Sequence, residues 1–91
     1  MAKSPEQEFT EIQKRRDRLQ MAKTHLEASR AALKEAERQF MAARRKYGGM
    51  GLYPGYEKDI PMVEKKIKDI TLLLDHLRAR QVVILKESRN G

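Results

Sequence analysis

The chain has 91 residues, a formal net charge of +7 and no cysteine. A domain of this size buries only a little over ~60% of its unfolded surface, and without cysteine neither a disulfide nor a thiolate-held zinc supplements its core. No apolar run reaches the roughly 18 residues of a membrane span and the polar first residues lack a signal-peptide core, so the expected location is the cytoplasm.

The first element opens at Ser4-Pro5-Glu6-Gln7, which reads as an N-cap serine, a proline at the first helical position and a capping-box glutamine. From Glu6 to Tyr47 neither Gly nor Pro occurs, and Ala, Glu, Lys, Arg, Gln and Leu dominate. A helix over residues 4–47 is predicted, stopped by Gly48-Gly49 in the left-handed cap that glycine adopts cheaply. Along it Ile12, Leu19, Leu26, Leu33, Phe40 and Tyr47 recur every seven residues. Three residues after the first five stand Arg15, Ala22, Ser29, Ala36 and Ala43, so the expected seam alternates a large apolar position with a mostly small one.

Residues 48–58 hold four glycines and Pro54 and are predicted to be a loop. Asp59 can cap a second helix over 59–87, with Pro61 tolerated in its first turn. Here Ile60, Val63, Ile67, Ile70, Leu74, Leu77 and Ile84 occupy seam positions, and Gln81 is the one polar exception. Val82-Val83-Ile84-Leu85 has strand composition, but the heptad phase runs through it and favours helix. The fold class is therefore all-α, one antiparallel coiled-coil hairpin spanning residues 1–91.

If Tyr47 pairs with Asp59, Ser88 falls opposite Arg18 and residues 4–17 overhang. Phe9 and Ile12 would then face water, and a second stripe of Leu72, His76, Ala79 and Val83 points away from the seam. Exposed apolar patches mark contact sites. These six residues are accordingly the expected dimerisation surface of a homodimeric four-helix assembly.

The chemistry of catalysis is missing from this pattern. The serines lie at a cap, in a seam and in a tail, and the carboxylates alternate with Lys and Arg along helix faces, as on solvated helices. The expectation is a non-enzymatic protein with no cofactor. His25 has no metal-ligating residue four positions away on its face, and His76 falls on the outward stripe, so no metal site is predicted. The glycine-rich loop lacks the Lys-Ser/Thr ending of a phosphate-binding loop and follows no strand.

What the sequence favours is interaction. Arg44, Arg45 and Lys46 adjoin Met50, Leu52, Tyr53 and Tyr56 on a loop longer than a helix connection requires. Tyr and Arg concentrate at interface hot spots and Met adapts to irregular partners, so these seven residues are the candidate partner-binding surface of an adaptor or inhibitor that docks on a protein or nucleoprotein complex. The alternative is direct nucleic-acid binding through Lys14, Arg15, Arg16 and Arg18, joined at the open end of the hairpin by Lys86 and Arg89.

Overall fold

The first helix starts where local chemistry places it. The Ser4 hydroxyl accepts a hydrogen bond from the Gln7 amide at 3.2 Å, and Gln7 Oε1 accepts one from the Ser4 amide at 3.2 Å, completing the capping box. The structure, a computed structural model, describes residues 3–48 and 54–90. Within them two helices, α1 (Pro5–Tyr47) and α2 (Tyr56–Asn90), pack as a hairpin 70 × 21 × 14 Å in extent. No strand occurs among the described residues, and Val82–Leu85 is helical. No helix among them is long and apolar enough to cross a membrane.

α1 ends at Gly48, whose φ of +87° suits a residue without Cβ, and Arg44, Arg45 and Lys46 place positive charge against the negative end of its dipole. α2 begins at Tyr56, three residues ahead of the predicted Asp59 cap. Gly55, at φ +77°, turns the chain, and its carbonyl accepts bonds from the amides of Lys58 at 3.0 Å and Asp59 at 3.2 Å. Helical bonding is thus already under way at Asp59. Pro61 lies within the helix rather than at its start and is exposed. α2 also continues past Glu87 to Asn90.

The large seam residues occupy the interface as the heptads predict. Ile12, Ile60 and Ile84 are buried, and Leu19, Leu26, Leu33, Phe40 and the remaining apolar seam residues of α2 are partly buried. The second seam row of α1 is different from the expected one. Ala22 and Ala43 of the expected row are partly buried, but Arg15, Ser29 and Ala36 are exposed, whereas Phe9, Arg16, Lys23, Arg30 and Glu37, three residues before each large position, are partly buried. Small side chains offer little area to the broad Ile/Leu ridge of α2. Rolling α1 the other way brings Phe9 and the aliphatic stems of Lys23 and Arg30 towards that ridge, and turns the Arg16 guanidinium to Gln81 in the seam.

The register also departs from expectation. Phe40 meets Tyr56, the first residue of α2, with ring centroids 6.2 Å apart, and at the other end Arg80 Nε donates to Glu8 Oε1 at 2.8 Å. α2 is therefore displaced towards the start of α1 by about three turns relative to a pairing of Tyr47 with Asp59. Residues 4–17 do not overhang, and Ile12 is 6% exposed, a core residue of the single chain rather than a dimer contact. The overhang lies at the other end, where Met41 to Tyr47 continue past the start of α2. The physical reason is burial. This register brings Phe9, Ile84 and Gln81 together and buries Ile12, while the one foregone would leave Phe9 and Ile12 in water.

Candidate interaction surfaces

Around the open end, one polar cluster is built into the seam. Gln81 is 4% exposed. Its Nε2 donates to the Phe9 carbonyl at 3.3 Å and to Gln13 Oε1 at 3.1 Å, while its Oε1 accepts from Arg16 Nη1 at 2.7 Å. Gln13 in turn donates to Asp17 Oδ1 at 2.9 Å. Arg16 Nε is buried without a hydrogen-bond partner, so the guanidinium depends on its Nη1 bond to Gln81. The heptad pattern singles out Gln81 as a polar intruder but cannot name the α1 side chains that answer it.

This arrangement disperses the basic surface expected at the open end. Arg16 turns into the seam, while Lys14, Arg15 and Arg18 remain exposed. Lys86 and Arg89 are exposed near the end of α2. Their neighbours Leu85 and Ser88 line a pocket of about 210 Å³ with Pro5, Glu6 and Phe9, which places the tail of α2 beside the acidic first turns of α1. Two carboxylates there are already engaged, Glu11 by Lys3 and Glu8 by Arg80. Those hydrogen bonds hold both carboxyls below the ordinary carboxylate value of 4.5.

At the opposite end Arg44, Arg45 and Lys46 are exposed on the overhang, as the candidate partner surface requires. Met50, Leu52 and Tyr53 lie outside the described residues. Tyr56 is not a loop residue. It sits in the first turn of α2, partly buried, with its ring tilted 59° against Phe40. A tilted aromatic pair at this separation contributes beyond its area. Tyr56→Ala is accordingly expected to lower thermal stability by about 1–2 kcal/mol while Arg44→Ala leaves it within about 0.5 kcal/mol, as paired melting curves would record.

Farther along α1, Arg38 donates to Glu35 through Nε at 2.9 Å and Nη2 at 2.6 Å, and Gln39 Nε2 donates at 3.0 Å. The Arg38 bonds, with help from Gln39, bring the Glu35 carboxyl from 4.5 to about 2. A depressed carboxylate contributes above its unfolded value and loses that contribution as pH falls through the folded one. Support of α1 by Glu35 is therefore expected to be constant from pH 7 to about 5 and to vanish towards pH 2. A carboxyl-carbon NMR titration checks this, with Arg38→Ala expected to raise the midpoint towards the ordinary 4.5 while the Gln39 bond still holds it below.

The third surface is apolar. Leu72, Leu73, Val82, Val83 and Leu85 are each 41–52% exposed on α2. His76 and Ala79 are exposed between them. Four of these residues are the predicted outward stripe, and all four stand in solvent in the single chain. Beside them Leu19, Leu73 and Leu77 floor a groove of about 440 Å³ rimmed by Arg15, Arg18 and His76. Phe9 is partly buried against α2 and lines the pocket at the open end, so it leaves this stripe. Among the described residues no group of three or more His, Cys, Asp and Glu converges as a metal site would require.

No protein family, curated protein or solved structure matches this chain.

Proposed function

We propose that the protein is a non-enzymatic interaction module, an adaptor or inhibitor that works as a homodimer and docks on a protein or nucleoprotein complex through the basic overhang of α1. The observation that carries this reading is the overhang itself. Seven residues of α1, Met41 to Tyr47, run past the start of α2 and present Arg44, Arg45 and Lys46 in their last turn. Three adjacent exposed cations on a helix end suit an acidic or phosphate-bearing partner. The rival basic surface is broken up, because Arg16 faces Gln81 and the α2 tail lies beside Glu6 and Glu8.

Direct binding of nucleic acid is the second reading, favoured by the net charge of +7. The two separate by salt dependence. Contacts to several phosphates weaken by orders of magnitude between ~50 and ~200 mM salt. Gel shifts with duplex DNA, RNA and single strands across that range, with the wild type and with R44A/R45A/K46A, test both. A steep salt slope that flattens in the triple variant establishes nucleic acid as the partner of the overhang. No shift at any salt, together with at least tenfold loss of host-protein capture by the triple variant, establishes a protein partner. If the triple variant captures and shifts like the wild type, the overhang is not the docking surface.

A further inference from the structure

We infer that the outward face of α2 is an isologous interface, on which a second copy of this chain packs antiparallel, α2 against α2, about a two-fold axis between Leu77 and Arg78. The inference deepens the homodimer proposed above and rests on it. It assigns the occupant, register and orientation of the exposed stripe.

Area is the first reason. The chain exposes 7350 Å². A globular monomer of 10.6 kDa exposes about 5,500 Å², so this hairpin carries about 1,900 Å² in excess. A standard stable interface buries about 800 Å² of each partner. The radius of gyration of 20.7 Å, against about 12 Å for a compact chain of this length, has the same origin. One pair of helices has no third element to cover its outer faces.

Self-complementarity is the second reason. A two-fold interface must match its own sequence read backwards. Around the midpoint between Leu77 and Arg78, Leu72 falls opposite the partner's Val83 and His76 opposite the partner's Ala79. The stripe therefore meets itself with apolar ends and a small residue near the axis, where two backbones approach most closely. The flanking charges agree. Asp69 falls opposite the partner's Lys86, and Lys66 reaches the partner's Glu87, all of them exposed in the single chain. One like-charge pair, Lys68 with the partner's Arg89, lies at the outer ends, where solvent screens it. In the resulting layer the α2 helices are central and the α1 helices flank them. The two Tyr56 positions stand about 65 Å apart along the axis, so the basic overhangs point to opposite ends of the assembly.

Because the chain has no cysteine, a single spin label reports this geometry directly. In sedimentation equilibrium at micromolar concentration the wild type is expected to be a dimer, and L72E to weaken it at least tenfold. The double variant L72E/V83K is expected to recover dimerisation, since its new opposite charges meet only across the antiparallel register. With a nitroxide on K65C, dipolar spectroscopy of the dimer is expected to give a separation near 38 Å, from 25 helical positions at about 1.5 Å each. A parallel pairing would bring the labels within about 20 Å. A dimer with that short separation, or one in which V83K fails to rescue L72E, overturns the antiparallel α2 interface and leaves the homodimer standing. A monomer at every concentration overturns both.

Discussion

Ile84→Ala is expected to destabilise the protein by about 2–4 kcal/mol and to lower its melting temperature by more than about 10 °C. Ile84 is 3% exposed, the most buried apolar side chain among the described residues, and it lines a pocket with Phe9, whose carbonyl accepts from Gln81. Among the described residues no large side chain is fully buried, so little surrounding mass can relax into the cavity that the truncation leaves. Met21→Ala, at a position 63% exposed, removes a similar number of atoms and is expected to shift stability by less than about 0.5 kcal/mol. Chemical denaturation of both variants at one fixed protein concentration makes the comparison, because an associating chain has a concentration-dependent midpoint. Equal effects would mean that the seam at Ile84 does not hold the hairpin.

Gln81→Ala is the second large effect, expected at about 2–3 kcal/mol. The amide serves three partners across the seam, and its loss leaves the partly buried Arg16 guanidinium without the acceptor at 2.7 Å while Nε already has none. Stranding a buried polar group costs about 1–3 kcal/mol, and more when it is charged. The double replacement R16M/Q81L should behave oppositely and equal or exceed the wild type, since apolar side chains of similar volume avoid the desolvation that a buried polar pair incurs. Strong coupling in a double-mutant cycle, at least about 1 kcal/mol, is the expected signature. Additive effects would show that Gln81 and Arg16 act independently. The network also accounts for the register, because a polar residue at a seam position selects the alignment in which it is answered. Sliding α2 by one heptad would set Gln81 against other α1 positions and away from Gln13 and Arg16.

Much of the hairpin is legible in local residue order. Ser4 and Gln7 fix the start of α1, Gly48 marks its stop, and the heptads from Ile12 to Phe40 and from Ile60 to Ile84 name the large seam residues. These features depend on neighbours within one or two helical turns, where propensity, capping and periodicity act. The outward stripe of Leu72, His76, Ala79 and Val83 follows from the same spacing. So does the exposure of Arg44, Arg45 and Lys46 at the end of α1.

Three features required the two helices to be together. The register places α2 about three turns from the alignment that a tight connection would impose, because an eight-residue connector between Tyr47 and Tyr56 lets burial, rather than loop length, choose the pairing. The rotation of α1 makes Arg16, Lys23 and Arg30 seam residues in place of Ser29 and Ala36, since amphipathic stems bury apolar area that residue type alone conceals. The fate of individual side chains follows from both. Tyr56 becomes the ring against Phe40, Arg16 the partner of Gln81, and Ile12 a core residue. Each of these contacts joins positions more than a dozen residues apart, and their free energies depend on the area and hydrogen bonds that two packed surfaces share. Local order sets the large seam positions of each helix, and the meeting of the two helices sets which row flanks them and what lies opposite each residue.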